Sequence, residues 1–292
     1  MSSASANAPS TANARLAAAG LTATTILLLT AGLSMLQPLS TDLYLSTLPG
    51  IATYFNASVA SVQSTLWMFI AVFGIWQLIA GPLSDRFGRY PIVVAGAFTY
   101  CAASLLAAIA PSLEVLVVGR VLQAVGACTC LVGARGFVRD LYSPTEGARM
   151  VANAATIMSL APLIGPLIGA TLYVRFGWRS SFAVLATFSL LLAVLATLRL
   201  RETNTRRNPN ALRLAPMLRT YASVARSRAF RAYTLSAAAT YASLFAFLSG
   251  SSFVFINVLG QTPTAFALFF AAMVVGYLVG TVICRRLLPI YG

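Results

Sequence analysis

Histidine and lysine are both missing from this 292-residue sequence, so all 20 basic residues are arginine. The absence of histidine excludes Ser-His-Asp triads, Cys-His dyads and histidine-bound metals. Acidic residues are also scarce, and the six of them are Asp42, Asp85, Glu114, Asp140, Glu146 and Glu202. No two of these carboxylates share a face that would suit paired acid-base chemistry. We therefore expect no enzyme activity, no catalytic residues, no metal and no cofactor.

Charge of either sign is sparse, since only 9% of the residues are charged and 59% are hydrophobic. Soluble domains carry about 25% charged residues, and the mean hydropathy of +0.82 predicts a membrane protein with several spans. The net charge of +14 raises nucleic acid as a partner, but the arginines fall between apolar runs rather than on one face. We therefore expect the lipid bilayer as a partner and no nucleic acid.

Predominantly apolar runs long enough for a membrane span of about 20 residues occur eight times, which predicts an all-α polytopic bundle. The first run opens at Leu16 and ends before a turn near residues 49–61, and the second run follows that turn. The next four runs are 90–113, 113–133, 150–174 and 180–198, and the uncharged stretch 232–284 is long enough for two more.

The arginines lie almost entirely on one side of these spans. If the N-terminus is cytoplasmic, only Arg175 and Arg179 face outward and Arg120 lies within span four, which is the orientation that the positive-inside rule favours. The longest polar connection is the basic stretch 201–231. It divides the chain into a disordered cytoplasmic tail (1–20), a six-helix half (21–200), a cytoplasmic linker (201–231) and the first two helices of a second half (232–292).

Three of the few charges are concentrated in G-P-L-S-D-R-F-G-R, residues 81–89, between spans two and three. Gly81 and Gly88 permit a turn that a Cβ would strain. Asp85 is placed to accept bonds from backbone N–H groups at a helix start, and Arg86 and Arg89 to lie at the level of the lipid headgroups. This 81–89 loop is also compatible with an ordinary cytoplasmic turn.

A second charged turn follows span four. We expect it either to pair with the 81–89 loop or to form a solvated face. Its charged residues are Arg139, Asp140, Glu146 and Arg149.

Two ionisable residues, Asp42 and Arg120, lie inside predicted spans. Asp42 is seven residues before Pro49 and Arg120 is eight residues after Ser112, so at about 1.5 Å per residue both lie roughly 10–12 Å below the outer surface. Charges within a membrane usually face a cavity or a partner. We expect the two side chains to pair, directly or through water, either as a static ion pair or as a site where the carboxyl group takes up and releases a proton.

Small residues recur every four positions in A-P-L-I-G-P-L-I-G, residues 161–169 of span five. Ala161, Gly165 and Gly169 would lie on one helix face and let another helix approach closely, while Pro166 would bend the helix. Aromatic or polar-edged residues also occur inside spans, where each would either line a substrate cavity or pack in the core. They are Tyr44, Trp67, Gln77, Gln123 and Tyr241.

Four stretches carry a family resemblance: L-S-T-D-L-Y-L-S-T-L-P (39–49), the 81–89 loop, G-R-V-L-Q-A-V-G (119–126) and residues 161–169. Together they resemble the major facilitator superfamily, and within it the drug:proton antiporters of the Bcr/CflA type. The segments D-L-Y-L and G-F-V-R-D-L-Y (136–142) sharpen the resemblance. It covers the chain from about Leu21 onward.

The resemblance implies proton-driven export of small antibiotics or drugs across the bacterial inner membrane by alternating access. It assigns proton coupling to Asp42 and Arg120 and an antiporter motif to residues 161–169, in which Ala161 stands where glycine is common. It also implies twelve spans, so four C-terminal helices are expected in the full-length chain. Two alternatives stay open: an exporter of a single drug such as chloramphenicol, and a truncated fragment that does not transport.

Overall fold

The computed structural model describes residues 20–205 and 207–291, and within these it contains eleven α-helices and no strand. A five-residue π-helical segment, Val254–Val258, follows the tenth helix. The helices are α1 (Ala23–Leu45), α2 (Leu48–Phe55), α3 (Val59–Phe87), α4 (Arg89–Ala108), α5 (Leu113–Leu141), α6 (Pro144–Met158), α7 (Leu160–Phe176), α8 (Arg179–Arg199), α9 (Leu214–Arg226), α10 (Arg228–Phe253) and α11 (Pro263–Tyr291).

The predicted all-α membrane architecture is confirmed. Among the described residues, seven helical stretches are long and apolar enough to cross a membrane, and the eighth predicted span corresponds to α11, of which Pro263–Tyr277 is a shorter apolar stretch. There are more helices than spans because span five is interrupted at Ser159 between α6 and α7, and because α2 and α9 lie outside the spans. The turn predicted near residues 49–61 is found at residues 56–58, between α2 and α3. Its first part is instead helical, because Pro49 stands in the first turn of α2, where its fixed φ favours a helix.

Helix ends coincide with residues that satisfy free backbone groups. The Ser58 and Ser112 side chains accept bonds from backbone N–H groups at the starts of α3 and α5. Ser143 and Glu146 form a reciprocal capping box at the start of α6. At Gly88, φ is +108°, so a residue that tolerates a left-handed conformation separates α3 from α4.

The buried core lies mainly in residues 21–200, with α1 and α5 near its centre. Helix α5 packs against α1, α3 and α4, whereas α1 also contacts α6, α7 and α8. The backbones of α4 and α5 nearly touch, because a Cβ placed on Gly126 would lie 2.6 Å from the backbone nitrogen of Tyr100. Helix α9 has no buried residue, and α10 buries only its last three residues.

The connection predicted over 201–231 contains structure of its own. Helix α9 lies within it, and α10 begins at Arg228 instead of residue 232. The Tyr221 hydroxyl of α9 donates a 2.6 Å hydrogen bond to the Leu78 carbonyl of α3, so the segment is attached to the first half. The tail predicted over residues 1–20 lies outside the described residues, apart from Gly20.

Candidate functional site

Arg120 of α5 is fully buried in the bundle, and no described carboxylate lies within 4.0 Å of its guanidinium. Its Nη1 donates to the Gln123 side-chain oxygen over 2.9 Å, and its Nε donates to the Thr65 carbonyl over 3.4 Å. The rings of Phe69 and Tyr44 lie 4.3 and 5.0 Å from the guanidinium carbon. Its Nη2 has no hydrogen-bond partner among the described residues. Neutral acceptors and aromatic faces therefore surround this charge, and its Nη2 group is a donor without an acceptor among the described residues.

Tyr44 and Gln123, two of the candidates for a cavity wall, lie in the packed core and expose no surface. The Tyr44 hydroxyl shares a 2.8 Å hydrogen bond with the hydroxyl of Thr65. The Gln123 amide nitrogen donates to the Ser104 hydroxyl over 2.7 Å while its oxygen accepts from Arg120. Their assignment to a substrate cavity stays a prediction, and in this structure the Gln123 amide oxygen and the Tyr44 ring contact Arg120.

The remaining cavity candidates differ from these two in exposure. Trp67 on α3 is 49% exposed and Tyr241 on α10 is 47% exposed, and Gln77 is also exposed. Their assignment to a substrate cavity stays a prediction, and their exposure is compatible with it.

Asp42 of α1 is 5% exposed, and its two carboxyl oxygens have different environments. The Thr41 hydroxyl donates to Oδ1 over 3.3 Å, whereas Oδ2 is buried without a hydrogen-bond partner among the described residues. The backbone of α7 lies beside it, since a Cβ on Gly165 would be 2.8 Å from the Asp42 Cβ. Helix α10 also contacts α1. Asp42 therefore sits where α1 meets α7 and α10, with one oxygen uncommitted.

The predicted Asp42–Arg120 pair is not formed directly in this structure, since no ion pair joins them within 4.0 Å. The reason lies in the rotation of α1. Tyr44, whose ring covers Arg120, is two residues from Asp42, so the two side chains leave the helix on different sides. Residue counting placed both charges at the same depth, but it did not determine which side of α1 faces α5.

The small-residue face of α7 packs closely against α1, as its four-residue spacing predicts. Its buried members are Ala161, Gly165, Pro166, Gly169 and Ala170. A Cβ on Gly169 would collide with the backbone carbonyl of Leu43, and one on Gly165 would press against Asp42. Glycine is therefore required at both positions, and the close approach brings α7 directly to the carboxyl-bearing segment of α1. The role of this face as an antiporter motif stays a prediction.

The 81–89 loop forms the core of an ion-pair network with the second charged turn. Arg89 contacts Asp85 at 2.6 Å and Asp140 at 3.1 Å, and it donates to the Ser84 hydroxyl over 2.9 Å. Arg139 adds a 3.2 Å contact to Asp85. Of the two readings of the turn after span four, a partner for the loop is confirmed for Arg139 and Asp140.

Three roles predicted within the 81–89 loop are corrected. Asp85 lies at the C-terminal end of α3 and pairs with Arg89, so it does not cap a helix start. Arg89 is 4% exposed and lies within the network, whereas Arg86 is exposed. Gly81 lies inside α3 with no atom within 4 Å of where its Cβ would be, so no turn requires it. Gly88, with its positive φ, is the glycine that the loop needs.

Glu202, which the sequence reasoning missed, supplies the cap that Asp85 does not. Its Oε1 accepts from the backbone N–H of Arg89 over 3.0 Å and from the next two N–H groups of its own segment. A Cβ on Gly88 would collide with this carboxylate. The one signal was its isolation, since Glu202 is the only acidic residue after span six and stands among arginines. We call Asp85, Arg89, Arg139, Asp140 and Glu202 the charged clamp.

Comparison with known proteins places these features in context. The family described as Major Facilitator Superfamily matches residues 30–292. The chain is similar to a chloramphenicol resistance protein of Pseudomonas aeruginosa, with 31% identity over 92% of this chain and 63% of that protein. It is also similar to a bicyclomycin resistance protein homolog of Haemophilus influenzae, with 30% identity over 86% of this chain and 64% of that protein.

Among solved structures, the chain resembles a bacterial homolog of the human lysosomal transporter Spinster in an inward-facing, unoccupied conformation. The TM-score is 0.73 at 18% sequence identity, over 92% of this chain and 64% of that chain. At this identity the likeness shows the fold alone. The chain spans less than two thirds of the length of these relatives.

Proposed function

Because the chain belongs to the Major Facilitator Superfamily, a family of membrane transporters, we propose that the protein exports small antibiotics or drugs across the bacterial inner membrane. Export is coupled to proton entry, and the N-terminus is cytoplasmic. Two of its relatives are named for resistance to chloramphenicol and bicyclomycin, which supports a drug as the substrate. The concentration of arginine on one side of the spans supports the orientation.

The observation that carries the proton coupling is the environment of Asp42. An ionisable side chain buried in a membrane span is costly, and it is usually kept for a function. A proton carrier needs a carboxyl oxygen that the protein does not bind, and Oδ2 of Asp42 meets that requirement. Its close contact with Gly165 supports a carboxyl group that is held inside the first half of the transporter.

In the proposed cycle, the two halves of the transporter rock about a site near the middle of the membrane. Asp42 takes up a proton while the site is open to the outside and releases it when the site opens to the cytoplasm, where drug binding follows. Arg120 stabilises the α1–α3–α5 contact through Tyr44, Thr65 and Gln123. Its uncommitted Nη2 is available to interact with the substrate or the carboxylate in another conformation.

The test is drug resistance in an efflux-deficient bacterium that expresses the complete gene. We expect Asp42→Asn to abolish both resistance and proton-driven efflux, because the amide keeps the shape of the side chain but cannot carry the proton. The matched control is Glu114→Gln, which changes an exposed acid on α5 in the same way and should leave efflux intact. Proton-driven efflux that survives in Asp42→Asn would refute the assignment of proton coupling.

A narrower substrate range is the second candidate, and the similarity to a chloramphenicol resistance protein favours it. Susceptibility to a panel of chemically unrelated drugs separates the two. Resistance to chloramphenicol alone supports the single-drug exporter, whereas resistance to several classes supports the broad one.

A further inference from the structure

A cavity that does not include Asp42 or Arg120 lies at the arginine-rich end of the bundle between α5 and α6. Its volume is about 640 Å³, which is large enough for part of a lipid or a drug-sized molecule. One wall is apolar and comes mainly from Val138, Val151, Ala152 and Ala155. The cavity is therefore not simply a water-filled gap between charged side chains.

The opposite wall carries positive charge. Arg135 and Arg139, one helical turn apart on α5, both line the cavity and both are exposed. Arg139 is partly neutralised by Asp85 of the charged clamp, at 3.2 Å. Arg135 makes no ion pair with a described acidic residue. The cavity therefore combines an apolar wall with one arginine whose charge is not compensated.

A buried hydroxyl adds a second, independent sign of a ligand. Tyr142 lines the cavity and is 9% exposed, and its hydroxyl oxygen is buried without a hydrogen-bond partner among the described residues. Burial, reinforced by the charge of Glu146, raises the pKa of the Tyr142 phenol, so the hydroxyl keeps its proton and remains a donor. A buried donor without an acceptor costs free energy. The hydroxyl has no accessible surface in this structure, so a rotation of the phenol towards an anionic oxygen in the cavity would bring the two into hydrogen-bond contact and remove that cost.

We propose that this cavity binds an anionic phospholipid of the membrane leaflet at this end of the bundle. The phosphate accepts hydrogen bonds from the guanidinium of Arg135 and from the hydroxyl of Tyr142, with Arg139 close by. Arginine suits phosphate because its planar donors match the oxygens. One acyl chain lies along Val151, Ala152 and Ala155. Basic pockets between membrane helices bind lipid headgroups in this manner, and the apolar wall distinguishes a lipid from a soluble phosphate.

The inference does not depend on drug export, since lipid binding is measured without transport. The complete protein is purified in a mild detergent and exposed to phosphatidylglycerol or phosphatidylethanolamine, and bound lipid is counted by native mass spectrometry. The variants are Arg135→Gln and Tyr142→Phe. The control is Arg149→Gln, which removes an exposed arginine of α6 that does not line the cavity. Inorganic phosphate is added as a competitor in a separate series.

We expect about one phosphatidylglycerol per protein and weaker binding of phosphatidylethanolamine. Loss of a charge-assisted hydrogen bond should lower the affinity about tenfold in Arg135→Gln, and loss of a neutral one about threefold in Tyr142→Phe. Arg149→Gln should bind like the wild type. Three results would each overturn the proposal: no retained lipid, an equal loss in Arg149→Gln, or displacement of the lipid by inorganic phosphate, which would identify a soluble anion as the ligand.

Discussion

Buried arginines occur in two regions of this molecule, and their partners differ. In the charged clamp, Arg89 contacts two carboxylates and a hydroxyl. In the middle of the bundle, Arg120 has no carboxylate within 4.0 Å and keeps one donor group without a partner. Asp42, the acidic residue inside the first span, likewise has a carboxyl oxygen without a hydrogen-bond partner among the described residues.

The difference distinguishes charges that stabilise the fold from charges that can still bind a proton or a new partner. A buried charge whose bonds are all satisfied fixes one arrangement of helices, because moving any partner leaves a costly unpaired group. A buried charge with uncommitted groups can exchange a proton or change partners at lower cost. We therefore assign Arg89 and the partners that satisfy it to stability, and we propose Asp42 and Arg120 for coupling.

The largest effect on stability is expected when Arg89, the central cation of the charged clamp, is removed. Arg89→Gln leaves the carboxylate of Asp140 and its neighbours without their main partner. We expect the free energy of unfolding to fall by about 3 kcal/mol, at the lower end of the range for buried pairs because Asp85 is 42% exposed at its side chain. The measurement is unfolding of the purified complete protein in micelles with increasing denaturing detergent.

The matched control for this change is Arg86→Gln, three residues away in the same loop. Arg86 is exposed, and among the described residues its guanidinium makes no ion pair and lies over the ring of Phe87. Its replacement should therefore change the unfolding free energy by less than about 0.5 kcal/mol. Equal effects of the two changes would mean that the loop acts through its general positive charge, and the clamp would then not be the stabilising element.

A smaller effect on stability is expected at Arg120, and it tests directly whether the two buried arginines differ in role. Arg120→Met keeps most of the side-chain volume, loses the hydrogen bond to Gln123 and removes a buried charge that has no carboxylate partner. These changes oppose each other, so the unfolding free energy should change by less than about 1.5 kcal/mol. Because the proposed coupling needs the charge, proton-driven efflux should nevertheless fall to the background level.

Arg120→Lys gives the control, since it keeps the positive charge without the planar donors. Partial efflux in this variant would show that charge is the required property. If Arg120→Met unfolds as readily as Arg89→Gln, the two regions are alike in stability and the division between them is wrong.

Much of this arrangement could be predicted because it depends on properties that run along the chain. The spans follow from hydropathy, and the packing of α7 against α1 follows from the spacing of Gly165 and Gly169. The depth of Asp42 and Arg120 in the membrane, obtained by counting residues between helix ends, stays a prediction.

Other features depend on how the helices are rotated and on which distant segments meet. The side of α1 that faces α5 was not predictable from depth, so the contact of the Tyr44 ring with Arg120 was not predicted. Glu202 lies 113 residues after Arg89, whose backbone it caps. No local pattern specifies that contact, because the cap is provided by tertiary packing of the chain after α8.

The smallest effect on the unfolding free energy is expected at Gly81. If the charged clamp is what stabilises this region, the start of the 81–89 loop is not needed for the fold. Gly81 is helical, and a Cβ there would meet no atom within 4 Å. Gly81→Ala should therefore raise the unfolding free energy by about 0.5–1 kcal/mol, because alanine loses less conformational entropy in a helix. Gly74→Ala, in the same helix and equally open, should give the same gain. If Gly81→Ala instead lowers stability or efflux while Gly74→Ala does not, the small size of Gly81 serves a contact made in another conformation, and the fold-holding role of this loop extends beyond the charged clamp.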